Sequence, residues 1–188
     1  MAPSQLNKRR KMPVVGVVMT SFPYFIEADD NANRMESMMD EHGIRHLPVQ
    51  EKSRIVGIVS ERDLHHRVKR EAPAAEKETI LARHVMVKDP YIVSFRAPLN
   101  EVVFEMARRR IGSVIVQRQG KLAGILSAMD VCRILGEYLE SIFPSGRRGG
   151  GAAAKPDSFS SRLFHRYEFS RDRAKHYRSQ WSIQRDRS

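Results

Sequence analysis

The chain has 188 residues, with 33 Lys and Arg against 22 Asp and Glu, and a single cysteine. That length holds one compact domain with tails or two very small ones, and excludes two large domains. One cysteine excludes an intramolecular disulfide and a cysteine-based zinc framework, so a reducing, cytoplasmic setting is expected.

The formal charge of +11 sits at the ends. Residues 1–12 carry four basic and no acidic side chains, residues 144–188 carry eleven basic and four acidic, and eighteen of each remain for the middle. Any polyanionic partner is therefore a matter for the tails. Lys8-Arg9-Arg10-Lys11 precedes an apolar run, Pro13 to Met19, that is short and interrupted by Pro13 and Gly16, unlike a signal peptide. No run approaches the roughly 20 apolar residues of a membrane helix, so a soluble protein without membrane contact is expected.

From residue 13 the chain repeats itself. An offset of 67 aligns residues 18–63 with 85–130 without a gap, and thirteen of the forty-six positions are identical, Met19/Met86, Tyr24/Tyr91, Gly57/Gly124, Ser60/Ser127 and Asp63/Asp130 among them. Average composition would give about one match in sixteen. In each copy an extended stretch (24–26; 91–95) leads into a helix with apolar residues at helical spacing, such as Val102, Val103, Met106 and Ile111, with Pro98 at its start. Two strands follow, 45–50 with 55–60 and 113–117 with 122–127, joined by the short polar links Glu51-Lys52-Ser53 and Arg118-Gln119-Gly120. A closing helix opens at Glu61 and again at Ala128. The order is β-α-β-β-α, twice. This gives an α/β (α+β) fold of two repeats, 13–70 and 84–143, related by a pseudo-twofold axis, since about 60 residues bury only a marginal core alone. Residues 71–83 read as the linker, and 144–188 as a flexible basic and aromatic tail.

Gly57-Ile58-Val59-Ser60-Glu61-Arg62-Asp63 and Gly124-Ile125-Leu126-Ser127-Ala128-Met129-Asp130 share one spacing. Glycine there leaves room for a ligand against the backbone, a strand-end hydroxyl serves a phosphate or ribose oxygen, and a carboxylate three residues on can accept from both ribose hydroxyls. The helix start adds free N–H donors. The same residues equally suit plain helix capping, with Ser60 and Ser127 at the caps and the aspartates in the first turns.

These two lines resemble the Gly-h-h-Ser/Thr-x-x-Asp signature of CBS domains, h being apolar, and Val18-Met19-Thr20 and Ile44-Arg45-His46-Leu47-Pro48-Val49 are similar to that family's other landmarks. The resemblance covers residue 14 to about 140. It implies a tandem CBS (Bateman) module: a non-enzymatic regulator that binds an adenine nucleotide, AMP, ADP or ATP, with NAD or S-adenosylmethionine as further candidates, and that pairs as a homodimer. The ligand-binding set expected is Thr20, Tyr24, Arg45, His46, Pro48, Gly57, Ser60 and Asp63 in the first copy, and Gly112, Ser113, Gly124, Ser127 and Asp130 in the second. Arg45 and His46 stand where related modules carry phosphate contacts. Gly112 and Ser113 replace them in the second copy, so the pockets should differ in charge.

Other groups point less sharply. Arg108-Arg109-Arg110 suits a helix end, His42 and His46 are parted by Gly43 and make no metal pair, and Cys132 is expected in the core on the apolar face of the last helix. No nucleophile stands with a plausible base, so no catalytic residue is assigned. The tail interleaves Phe164, Tyr167, Phe169, Tyr177 and Trp181 with arginines, leaving nucleic-acid binding, or a tail helix docking on a partner, as alternatives. On the first of these, the repeats only dimerise a nucleic-acid-binding tail; a bare dimer scaffold is the other alternative.

Overall fold

The computed structural model describes residues 12–143. After a 3-10 turn (Val15–Val17) come β1 (Thr20–Ser21), β2 (Ile26–Glu27), α1 (Ala32–His42), β3 (His46–Glu51), β4 (Arg54–Ser60) and α2 (Glu61–Arg67). Two short helices, α3 (Ala74–Glu78) and α4 (Ala82–Val85), lead to β5 (Val87–Lys88), β6 (Ile92–Ser94), α5 (Leu99–Arg109), β7 (Ser113–Arg118), β8 (Lys121–Ser127) and α6 (Ala128–Ile142). The fold is mixed α+β, and β-α-β-β-α occurs twice, as β2-α1-β3-β4-α2 and β6-α5-β7-β8-α6.

Local chemistry sets the boundaries. Asn31 Oδ1 accepts the Arg34 amide at 3.0 Å and caps α1, which stops at Gly43 in the left-handed region. Both hairpins turn on two residues of positive φ, Lys52-Ser53 and Gln119-Gly120, the turn geometry whose twist matches the flanking strands. Pro48 lies in β3 without an N–H. Its counterpart Ile115 donates to the Tyr91 carbonyl at 3.0 Å, and β6 accordingly pairs with β7 over three residues where β2 pairs with β3 over two.

The two sheets run β2-β3-β4-β5 and β1-β8-β7-β6. The leading strand of each sequence copy thus crosses to the other copy's sheet: Thr20 pairs with Ile125 and Ser21 with Gly124, while Val87 pairs with Ile58 and Lys88 with Gly57. The cores follow the same exchange. One gathers Ile26, Met35, Leu47, Val59 and Leu64 with Ala82 and Val85; the other gathers Val102, Met106, Val114, Val116 and Leu126 with Val15 and Val18. Backbone bonds repeat it too, with Val15 N donating to Ala97 O at 2.9 Å where Ala82 N donates to Asp30 O at 2.8 Å. We call the packed bodies unit 1 (sheet β2-β3-β4-β5) and unit 2. Neither is identical to a sequence repeat.

Two features depart from the sequence reading. The 71–83 stretch holds α3, which docks on α1: Lys77, almost fully buried, donates to Glu36 Oε2 and to the Arg70 carbonyl, both at 2.6 Å, and Asn33 Nδ2 donates to the Ala74 carbonyl at 3.0 Å. Cys132, expected in the core, is exposed, because α6 turns Val131 and Ile134 to the core and leaves the intervening position outside. The basic N-terminal segment before Met12 and the 144–188 tail lie outside the described residues. No helix among the described residues is long and apolar enough to cross a membrane.

Candidate functional site

Each unit presents the same polar cluster where its second long strand runs into its closing helix. In unit 1, Ser60 caps α2 and Asp63 closes the box. Asp63 N donates to Ser60 Oγ at 3.2 Å, while Asp63 Oδ2 accepts from Ser60 N at 3.1 Å and from Ser60 Oγ at 2.5 Å. Unit 2 repeats this with Ser127 and Asp130, at 3.2, 3.0 and 2.7 Å. The capping reading of these four residues is therefore realised, and both hydroxyls are spent on their own aspartates. What capping leaves over is the second carboxylate oxygen, and here the clusters differ. Asp130 Oδ1 lies 3.7 Å from Arg133, itself held by Glu137 at 2.8 Å. Asp63 Oδ1 has no hydrogen bond or ion pair among the described residues, and His66 occupies the position equivalent to Arg133.

The start of the neighbouring strand completes each cluster. His46 pairs in register with Ser60 and Ser113 with Ser127, and the Glu61 amide donates to the Arg45 carbonyl at 2.9 Å as the Ala128 amide does to Gly112 at 2.8 Å. Arg45 is mostly exposed, with Nε 3.6 Å from Glu61 Oε2. His46 is half-buried, and burial pulls its pKa below the ordinary histidine value; Asp63 opposes that, Arg45 reinforces it and Glu61 opposes it. Its ring also spans the two units, since a Cβ on Gly112 would stand 3.3 Å from His46 Nε2. A methyl at 112 would press on the imidazole by a few tenths of an ångström.

Tyr24 stacks face to face on His42, with ring centroids 3.7 Å apart, and Tyr91 lies under Arg109 at 4.4 Å. One face of each tyrosine is thus already covered. Arg109 and Arg108 both bond Glu105, which those hydrogen bonds pull down to a pKa of about 2. Pro48 is buried in β3 opposite Ile58.

The strand exchange changes which residues share a cluster. Thr20, read with Asp63 from sequence order, pairs instead on β8, the strand that ends at Ser127. The residue in that place on β4 is Val87, its counterpart at offset 67, which the sequence reading left out. Gly57 and Gly124 have a packing reason not foreseen. A Cβ at Gly57 would meet Met86 Sδ at 2.5 Å, and one at Gly124 would collide with Met19, so each glycine makes room for the methionine of the exchanged segment.

The sequence profile of the CBS domain matches residues 14–70 and 82–137. The chain belongs to the CBS-domain family. An inosine-5′-monophosphate dehydrogenase from Korarchaeum cryptofilum is 31% identical to this CBS protein over 150 residues, 79% of the chain but 29% of the relative, so the chain spans about three tenths of that enzyme's length. Among solved structures, an acetoin utilization protein from Vibrio cholerae superposes with a TM-score of 0.61 at 29% identity, over 72% of this chain and 98% of that chain. The CBS domain pair of protein MJ0100, in complex with 5′-methylthioadenosine and S-adenosyl-L-methionine, gives 0.57 at 18% identity over 68% of this chain and 99% of its own. CBSX2, solved in complex with AMP, gives 0.57 at 22% identity over 66% of this chain and 97% of its own. The last two likenesses are of fold.

Proposed function

We propose that this CBS pair is a cytoplasmic, non-enzymatic regulatory module, working as a homodimer, that binds a phosphorylated adenosine ligand at the Asp63 cluster and passes the binding event to a partner protein. The observation that carries this reading is the Asp63 carboxylate. Ser60 holds it in one orientation and Oδ1 is left over, in a cluster where His46 pairs in register with Ser60 and Arg45 precedes it. A fixed acceptor suits a sugar hydroxyl at little ordering cost, and the Arg45 guanidinium, joined by His46 once it is protonated, suits a phosphate. Tyr24, with one ring face on His42, supplies apolar surface at that end of the sheet.

The Asp130 cluster is the weaker of the two. Arg133 already competes for its carboxylate, and Gly112 and Ser113 bring no charge. Its hydroxyl-bearing exchanged strand, Thr20-Ser21, suits an uncharged nucleoside better than a phosphorylated one. The printed ligands of the MJ0100 pair and of CBSX2, all adenosine derivatives, favour the same ligand class.

Regulation follows from composition of the site. His46 reaches Gly112 across the units, and each cluster borders a strand from the other sequence copy. A ligand seated at Asp63 therefore favours one packing of the units over others, which is all that a binding-linked switch requires.

A thermal-shift panel of adenosine, AMP, ADP, ATP, NAD and S-adenosylmethionine tests the ligand class. A ligand at one hundred times its dissociation constant adds about 2.7 kcal/mol to the folded state. A shift with at least one phosphorylated adenylate is expected. No shift with any adenine compound at millimolar concentration would leave the module a scaffold.

A further inference from the structure

One buried polar atom of unit 1 is left without a partner. Glu36, in the middle of α1, accepts from Lys77 Nζ at Oε2 at 2.6 Å, but its Oε1 is sealed from solvent and accepts no hydrogen bond from the described residues. A dry, unpaired carboxylate oxygen is costly, so a donor that reaches it stabilises whatever elements it joins. The group that faces it is His65 of α2. Its Nε2 stands 3.7 Å from Oε1, roughly 0.7 Å beyond an ordinary hydrogen bond, and its side chain is 30% exposed, so the ring can exchange its proton with water. Neutral imidazole offers an Nε2–H in only one tautomer; the imidazolium offers it always, with a charge.

These three side chains join three elements. Glu36 comes from α1, His65 from α2 and Lys77 from α3, and Lys77 also donates to the Arg70 carbonyl beyond the end of α2 at 2.6 Å. Helix α3 leads through Ile80 into α4 and β5, the segment that carries the second copy's leading strand into unit 1. Whatever fastens α3 therefore fastens the joint between the units. Unit 2 has no equivalent, since Val103 and Cys132 stand where unit 1 has Glu36 and His65.

The remaining charges around His65 nearly cancel. It shares the cleft between α2 and α3 with His66, Arg67, Lys69, Glu71 and Glu76, while Lys77 and Glu36 add one charge of each sign from α3 and α1. Asp40 of α1 is held by Arg70, and Glu61, one turn back on α2, leans toward Arg45. Helix α4 also packs on α2, but its Arg83 and His84 are engaged at Asp29 and at the Leu81 amide. Strand β4 carries one charged residue, Arg54, at its far end. With the surroundings balanced, the contact with Oε1 decides the outcome.

We infer that His65, Glu36 and Lys77 form an acid-sensitive latch: the protonated imidazole closes on Glu36 Oε1, fastens α2 to α1 and, through the shared carboxylate, to α3, and so stiffens the joint between the two units. The fastening is present while the imidazole is protonated and is lost as pH rises through its titration. It needs no nucleotide.

Urea melts of the full chain at about pH 8 and about pH 5.5, on either side of histidine titration, compare wild type with His65→Gln, which keeps every other histidine. On acidification the unfolding constant of wild type relative to His65→Gln should fall about tenfold. Exchange of the Lys77 and Thr79 amides, which bond the Pro73 and Glu76 carbonyls, should slow by a similar factor. In E36M/K77M, where apolar side chains replace the buried pair, both effects should vanish. A ratio that stays the same at the two pH values overturns the latch, as does one that survives in E36M/K77M. Exchange of α3 that ignores His65 while stability responds overturns the fastening of the joint. Should E36M/K77M fail to fold, E71Q/E76Q decides: an effect kept there supports Glu36 as the partner, and an effect lost overturns it.

Discussion

Gly57→Ala tests the strand exchange on which the composition of both clusters depends. A Cβ at 57 would stand 2.5 Å from Met86 Sδ, 2.8 Å from its Cγ and 2.9 Å from its Cβ, against the 3.5–4.0 Å of ordinary carbon contacts. The sulfur can swing away. The Met86 Cβ cannot, because the Met86 amide donates to Ala82 O at 2.8 Å and the next two residues pair with β4. The new methyl must part β5 from β4 or shift Gly57, an overpacking cost of about 1–3 kcal/mol. At about 3–4 °C per kcal/mol for a domain of this size, the Tm should fall by roughly 3–12 °C. Elsewhere in a strand the same change stabilises by up to about 1 kcal/mol, by restricting the unfolded chain, so the sign alone discriminates. In a Met86→Gly background, which removes the Cβ with the rest of the side chain, the new methyl enters vacated space, and the cost of Gly57→Ala should drop below about 0.5 kcal/mol. Urea melts of the four proteins give the coupling. Equal costs of Gly57→Ala with and without Met86 would refute the exchange as the reason for that glycine.

Two further outcomes follow from the Asp63 cluster. Arg45→Ala combined with His46→Ala should weaken AMP binding by tenfold or more, about 1.5–3 kcal/mol for charge-assisted bonds, while adenosine binding, read by calorimetry, is unchanged. Equal loss of both ligands would contradict a phosphate role. His46 brings a pH dependence. Its folded pKa lies below 6.5, so the unfolded chain holds the proton more tightly, and stability from this residue is present above 6.5 and lost as pH falls through the folded value. A bound phosphate favours the imidazolium, so AMP affinity should rise with acidification below pH 6.5. Measured as wild type relative to His46→Asn, the phosphate's own titration cancels; parallel pH profiles for the two proteins would remove His46 from the site.

Much of this architecture is legible in the residues. The offset of 67, the paired β-β-α endings and the Ser-x-x-Asp boxes are local patterns, and strands of six or seven residues with turn chemistry between them announce themselves. The exchange does not. The β1 and β5 strands are two residues each, too short to carry a period, and their partners lie about 105 and 30 positions away, at Ile125 and Ile58. Sequence order therefore groups Thr20 with Asp63, and the packing of Gly57 and Gly124 against Met86 and Met19 leaves no local signal. Helix α3 escaped for a similar reason: five residues of Ala, Glu and Lys show no apolar stripe, and its docking rests on one buried lysine. Cys132 was misplaced because an apolar neighbourhood on a helix does not say which flank the sheet covers.

The central claim is that the two aspartates, identical as helix caps, differ as ligand groups. Calorimetric titration of AMP into the full-length Asp63→Ala and Asp130→Ala proteins tests it most directly, because each substitution removes the same capping box, which costs stability by about 1 kcal/mol, and only the binding difference remains. Asp63→Ala should abolish measurable AMP binding while Asp130→Ala keeps it within a few-fold of wild type. Wild-type affinity in Asp63→Ala, or equal loss in both, would contradict the account.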